Sequence, residues 1–161
     1  TQDYDIVLPG YKYNMTDIQA ALGLHQLNDL ESFIERRTDL ANRYQEVLGD
    51  WAEWTLPGEP MFSHRHAWHL YTPLLNEAEA GMDRDAFMLR MKEKNIGTGL
   101  HYRAAHLYSY YREKFGFEPG DFPHAENVCS RIVSLPLFPG MTDAEHDRVI
   151  DVMYSVFHEV L

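Results

Sequence analysis

Apolar residues between positions 17 and 48 recur at helical spacing, and a helix of that length limits what the rest of the chain can do. Ile18, Ala21, Leu22, Leu24, Leu27, Leu30, Phe33, Ile34, Leu40, Ala41, Tyr44, Val47 and Leu48 form the stripe. Thr16 with Gln19 three residues on makes a capping box, and Asp17 puts a negative charge in the first turn. Gly49-Asp50 stops the pattern. Unbroken, such a helix spans about 48 Å at 1.5 Å per residue. That is wider than one domain of 161 residues. The helix is therefore expected either to kink or to join this domain to something beyond it. Its early part, Ala20-Ala21-Leu22-Gly23-Leu24, is apolar most of the way round and calls for burial by more than one neighbour, a further domain or a partner subunit.

The remaining chain alternates between extended and helical patterns. Residues 51–63, with Trp51, Trp54, Pro57-Gly58 and Pro60, read as a connector. Residues 67–75 predict a strand, with Pro73 at an edge or bulge. An acidic turn over 76–82 ends at Gly81. Asp83 then caps a helix that runs to about Lys94 and stops at Asn95. A short strand over 97–102 follows, then a helix over 107–115, a loop to 123, a helix over 125–131 and a strand over 132–135. Pro136-Leu137-Phe138-Pro139-Gly140 is a rigid turn. Thr142 and Glu145 form a second capping box, opening a helix whose buried face is Val149, Ile150, Val152, Met153, Val156, Phe157 and Val160. The order predicts an α/β or α+β layer of helices on a few strands.

Charge and cysteine usage exclude some functions. A formal net charge of -11 argues against non-specific nucleic-acid binding, which needs clustered Lys and Arg. No stretch is apolar for long enough to cross a bilayer. The single cysteine, Cys129, cannot form an internal disulfide; it fits a reducing compartment, the cytoplasm, and reads as an inert thiol half-buried on a helix. The polar, acidic start has no signal-peptide pattern and no initiator Met, so the chain is expected to be a piece of something longer or a processed product.

Three groups of residues could carry chemistry. His64-x-His66-x-x-His69 has no acidic or cysteine ligand at a recognised spacing, which favours a structural role over metal binding. Nucleophile-elbow and phosphate-loop patterns are absent. The exit of the 97–102 strand gathers His101, Tyr102, Arg103 and His106, with Gly97 and Gly99 placed for a turn or a close approach. This cluster is either a ligand-binding edge or a solvated strand end whose imidazoles cap helices. Tyr11-Lys12-Tyr13-Asn14 is a polar, aromatic loop in which nothing around Lys12 marks a desolvated amine.

Four motifs in order carry a resemblance. They are Gly10-Tyr11-Lys12-Tyr13-Asn14-Met15-Thr16-Asp17-Ile18-Gln19-Ala20-Ala21; Ala67-Trp68-His69-Leu70-Tyr71; Gly97-Thr98-Gly99-Leu100-His101-Tyr102-Arg103-Ala104-Ala105-His106; and Ser134-Leu135-Pro136-Leu137-Phe138-Pro139-Gly140-Met141-Thr142. Together they resemble the C-terminal portion of the DegT/DnrJ/EryC1/StrS aminotransferases, and within them the branch acting on UDP-4-amino-4-deoxy-L-arabinose.

The resemblance implies a fold-type-I, pyridoxal-phosphate-dependent transferase acting with glutamate and 2-oxoglutarate on a 4-keto sugar nucleotide, in nucleotide-sugar, cell-envelope polysaccharide or lipid A modification chemistry. It implies a homodimer with no nucleic-acid or membrane partner. It divides the chain into a loop remnant of the large domain (1–15), a linking helix (16–50) and a small C-terminal domain (51–161). Asn14 would contact the cofactor phosphate of a neighbouring subunit. His106, with His101, Tyr102, Arg103 and Lys12, would bind substrate. Lys12 does not match the family's Schiff-base position, so no catalytic residue is assigned, and the chain alone is expected to be inactive and not to retain the cofactor. The alternative is a stand-alone, non-catalytic binding or dimerisation module.

Overall fold

The structure is a computed structural model, and it describes residues 8, 10, 11 and 13–158. Lys12 and Val160 lie outside the described residues. The chain forms two compact units, residues 1–33 and 34–161.

In the first unit, helix α1 (Asp17–Asn28) starts at the expected capping box. The Thr16 hydroxyl accepts from the Gln19 N–H at 3.3 Å, and the Gln19 side chain accepts from the Thr16 N–H at 2.9 Å. The expected long helix breaks at Asp29, after which helix α2 (Leu30–Leu48) begins. Asp29 stays near helical geometry, with φ -99° and ψ -1°, and its carbonyl accepts from the Phe33 N–H at 3.0 Å. The interruption is thus local. No residue of α1 is buried, and Ile18, Leu22, Leu24 and Leu27 are all more than 60% exposed.

In the second unit, α2 supplies Leu40, Ala41, Tyr44 and Leu48 to the core. Strand β1 (Trp54–Thr55) pairs antiparallel with β2 (Leu74–Leu75) in the register Trp54 to Leu75 and Thr55 to Leu74. Trp54, read from the sequence as part of a connector, is therefore a buried strand residue. The three longer predicted strands shrink to β2 and isolated antiparallel bridges: Tyr71 to Leu135, Leu74 to Ile132, and Gly99 to Ser134. Prolines explain part of this. Pro73 has no N–H to give, but its carbonyl accepts from the Val133 N–H at 3.1 Å, and Pro136 closes the 132–135 segment.

The acidic turn contains one short helix, α3 (Glu77–Ala80), closed by Gly81 at φ +65°. Helix α4 (Arg84–Glu93) is capped by Asp83, whose carboxylate accepts from the Ala86 N–H at 2.8 Å. Two residues past its end the chain turns away at Asn95, at φ +61°, a left-handed position that asparagine tolerates better than most residues. A single 3₁₀ turn (Ala105–Leu107) precedes α5 (Ser109–Phe115), in place of one helix from 107. Helix α6 (Pro123–Arg131) begins two residues earlier than expected because Pro123 suits the first turn. Helix α7 (Asp143–His158) buries Val149, Met153 and Val156, half-buries Ile150, Val152 and Phe157, and packs against α4.

Aromatic contacts bind these elements. Trp54, Phe87 and Phe157 form a triangle with ring centroids 5.2 to 5.7 Å apart, and Tyr44 stacks on Tyr71 at 4.8 Å. Arginines close the gaps between loops. Arg37 Nη1 donates to the carbonyls of Trp68, His69 and Leu137, each at 3.0 Å. Arg131 donates to the Leu75 carbonyl at 2.7 Å and to the Asn76 side chain, tying α6 to the two-stranded sheet.

Candidate functional site

The segment 99–106 leaves the sheet at one pinned residue. Gly99 and Ser134 exchange both backbone hydrogen bonds, at 2.9 and 2.8 Å. Two residues on, His101 Nδ1 meets the Ser134 hydroxyl at 2.8 Å, so one serine fixes both the backbone exit and the first imidazole. Gly99 leaves room for this arrangement: a Cβ there would lie 2.9 Å from His101 Cε1. Gly97, paired with it in the sequence reading, has no such role, since a Cβ there meets nothing within 4 Å.

Beyond His101 the side chains diverge. Tyr102 is 71% exposed, with its ring edge-on to His101 at 4.8 Å. Arg103 is exposed and lies over the Tyr108 ring at 5.5 Å, a cation–π contact. His106 is only 6% exposed and turns inward, with Nε2 2.9 Å from Glu126 Oε1 on α6 and its ring 4.8 Å from that of Phe122. The four residues therefore form an edge with two anchored imidazoles and two outward polar groups. Each imidazole is bound to a side chain, Ser134 or Glu126. Ser134 and Glu126 escaped the sequence reading because their partners lie 33 and 20 residues away, beyond any local pattern.

Glu126 is the most heavily engaged carboxylate of this edge. Its Oε1 also accepts from the Gly120 N–H at 2.8 Å and the Phe122 N–H at 3.4 Å. Those donors hold the carboxyl below its usual range, the Gly120 N–H most strongly and His106 next.

The other candidates are placed as follows. Asn14, in the first unit, is exposed. His64 lies 3.5 Å from Glu59, and His66 Nδ1 accepts from the Trp68 N–H at 2.9 Å, both beside a groove of about 470 Å³ that α2 borders through Thr38, Asp39 and Asn42. His69 is exposed. Among the described residues no group of three or more His, Cys, Asp or Glu side chains is arranged to hold a metal ion. Cys129 is half-buried on α6, and its carbonyl accepts from Arg84. No helix among the described residues is long and apolar enough to cross a membrane.

A mixed fold of helices around a small sheet, presenting a polar edge of histidine, tyrosine and arginine, is the class that these features define. The model of the DegT/DnrJ/EryC1/StrS aminotransferase family matches residues 1–154, and the chain belongs to that family. Among solved structures, Spr1654 from Streptococcus pneumoniae, a candidate sugar aminotransferase, is similar in its PLP-form: 29% identity, a TM-score of 0.87, and coverage of 100% of this chain and 40% of that one. A DegT DnrJ EryC1 StrS aminotransferase from Brucella abortus is 30% identical with a TM-score of 0.81, over 98% of this chain and 40% of its own. PseC from Helicobacter pylori, an aminotransferase involved in the biosynthesis of pseudoaminic acid, shares the fold with a TM-score of 0.86 at 21% identity, over 99% of this chain and 43% of its own. The chain thus spans about two fifths of the length of these structures.

Of the groups a pyridoxal phosphate site needs, the described residues offer an amide donor but no desolvated lysine. The exposed Asn14 amide can donate to a phosphate oxygen. A lysine that carries the cofactor needs a desolvated amine. Lys92 and Lys114 are exposed, Lys94 is half-buried, and Lys114 Nζ donates to the Tyr110 hydroxyl at 2.7 Å. None of the described lysines is buried, so none has the surroundings of a covalent anchor.

Proposed function

We propose that this chain acts as the C-terminal part of a pyridoxal-phosphate-dependent aminotransferase that moves an amino group from glutamate to a 4-keto sugar nucleotide. The observation that carries the reading is the family match over residues 1–154, in a chain whose solved relatives are two and a half times longer and include a PLP-form. When bound, the cofactor supplies the electron sink for amino transfer. The residues of this chain bind and orient. His101 and His106, each held through one ring nitrogen, present fixed imidazole edges to the sugar. Arg103 offers a guanidinium for the diphosphate, and Tyr102 a phenol beside it. Asn14 reaches the cofactor phosphate of a second subunit in a homodimer, and Lys12 contributes to substrate binding. In this reading residues 1–15 finish the large domain, 16–50 link the two, and 51–161 form the small domain. The enzyme is cytoplasmic and belongs to the branch that makes UDP-4-amino-4-deoxy-L-arabinose for envelope polysaccharide or lipid A modification.

The chain alone is expected to be silent, since no described lysine is buried. Incubation with pyridoxal phosphate, glutamate and a UDP-4-keto sugar tests this, with and without a separately produced N-terminal portion of a family member. The expected result is turnover only in the mixture. Turnover by the chain alone removes the fragment reading. A stable oligomer that no N-terminal portion activates favours a stand-alone binding or dimerisation module, to which the exposed apolar residues of α1 also lend themselves.

A further inference from the structure

We infer that Glu126 is a positioning residue that fixes the tautomer of His106, holding the proton on Nε2 so that Nδ1 is presented to ligand as a hydrogen-bond acceptor. Four observations converge on this. First, Oε1 of Glu126 receives three donors: the Gly120 N–H, the Phe122 N–H and His106 Nε2. The two backbone groups can only donate. They fix that oxygen as an acceptor, so the imidazole nitrogen facing it must carry hydrogen. Second, the backbone donors are built in. Gly120 sits at φ +101°, a conformation that side chains resist, and this turns its N–H toward the carboxylate. Third, Pro123 starts α6 immediately after the turn, which places Glu126 in the first helical turn facing the loop it organises.

The fourth observation concerns the other ring nitrogen. Nδ1 of His106 takes no hydrogen bond among the described residues. It is also not one of the fully buried polar atoms left without a partner, which belong to Trp54, Tyr71 and His146. The small exposed part of this otherwise buried residue therefore includes Nδ1. A buried ring, clamped on one nitrogen and open at the other, is a reading head. In the neutral ring its lone pair accepts from a hydroxyl or amine and repels an anionic oxygen. Within the aminotransferase reading, on which this assignment of ligand chemistry rests, His106 contacts a sugar hydroxyl and leaves the diphosphate to Arg103.

The test uses nitrogen-resolved NMR of the imidazoles in the whole 161-residue chain at pH 8.5, with His106→Ala to assign the signal. The wild type is expected to show a proton on His106 Nε2 that exchanges slowly with water and a bare Nδ1. Glu126→Gln is expected to keep this pattern: the Gly120 and Phe122 N–H groups force the amide oxygen, not its NH₂, into the same place. Glu126→Ala is expected to lose the slow signal and to admit the Nδ1–H form. A proton on Nδ1 in the wild type overturns the inference, as does a Glu126→Gln variant that switches tautomer. An unchanged Glu126→Ala spectrum does the same. No ligand or turnover enters this measurement, so its failure is separate from failure of the complementation experiment.

Discussion

His146 packs tilted against Tyr44, their ring centroids 4.0 Å apart and their planes 43° from parallel, at the point where α7 meets α2. The imidazole is wholly buried and neither nitrogen makes a hydrogen bond. Burial pushes its pKa below the ordinary value of 6.5, and the nearby Arg43 and Arg36 cations act in the same direction. The Leu40 carbonyl and Asp147 oppose this without offering hydrogen-bond geometry. The unfolded chain therefore binds a proton here at a higher pH than the folded chain does. The stability conferred by the neutral ring is complete above about pH 6.5 and is lost as pH falls through the folded value. One proton limits the slope to about 1.4 kcal/mol per pH unit. Urea midpoints from pH 8 to pH 5 are expected to fall more steeply for the wild type than for His146→Met, which keeps the volume and cannot titrate. Equal slopes would show that His146 is not the sensitive group.

Arg37 replaces a strand ladder where the chain has none. Its three carbonyl partners belong to the 68–69 segment and to Leu137. Trp68 is held at φ +45°, a left-handed position costly for a bulky side chain. Arg37→Ala removes the donor that faces these carbonyls, and Arg37→Lys carries its nitrogen on a stem one bond shorter than the path to Nη1. Both are expected to lower stability by roughly 1–3 kcal/mol, with Lys recovering less than half of the loss. Chemical denaturation measures the cost, and Trp68 emission checks that the loop has moved. Full rescue by lysine would mean that charge, not geometry, secures the loop.

These two sites mark what was legible in the sequence. Both capping boxes were, because Thr16 with Gln19 and Thr142 with Glu145 act across three residues. Asp83, Gly81 and Asn95 were legible as stops and starts for the same local reason. The sheet was not: pairing reduced to single bridges leaves no alternating run to read, and Trp54 acquires its strand only by meeting Leu75. A kink was one of the two outcomes that the length of the stripe called for, but its position at Asp29 was silent, since no proline or glycine marks it. At the site, the histidines and Arg103 were visible by type. The groups that orient them, Ser134 and Glu126, were not, because tertiary contact alone brings them within reach.

Gly99 and Gly97 offer a matched pair. Alanine at 99 would put a Cβ 2.9 Å from His101 Cε1 and 3.5 Å from Ser134 Cβ. The half-exposed imidazole can swing aside, so the expected stability cost is small, about 1 kcal/mol or less. The contact between His101 Nδ1 and the Ser134 hydroxyl is expected to be lost. Alanine at 97 meets nothing, and is expected to be neutral or stabilising by a few tenths of a kcal/mol through the unfolded state. Imidazole NMR should show the His101 signals displaced in Gly99→Ala and in Ser134→Ala, and unmoved in Gly97→Ala. Undisturbed His101 signals in Gly99→Ala would mean that the glycine is not what seats the ring.

The cap of α7 predicts a coupling that appears and disappears with pH. The Thr142 N–H and hydroxyl each donate to Glu145 Oε2 at 2.8 Å, while the Glu145 N–H donates back to the Thr142 hydroxyl at 3.2 Å. The two Thr142 donors hold the Glu145 carboxyl below its ordinary value of 4.5, the backbone N–H more strongly. A depressed carboxyl stabilises the fold above its unfolded pKa, and the contribution is lost as pH falls through the folded value. Thr142→Ala removes a helix N-cap and is expected to cost about 1 kcal/mol at pH 7. Glu145→Ala removes the reciprocal half, and the double variant should lose less than the sum of the single losses. Urea titrations of the four proteins at pH 7 and pH 3 measure the coupling. It is expected to be favourable at pH 7 and much reduced at pH 3, where the protonated carboxyl offers a weaker acceptor to the two Thr142 donors. Coupling of equal size at both values would mean that the cap works through packing or backbone geometry and not through the carboxylate.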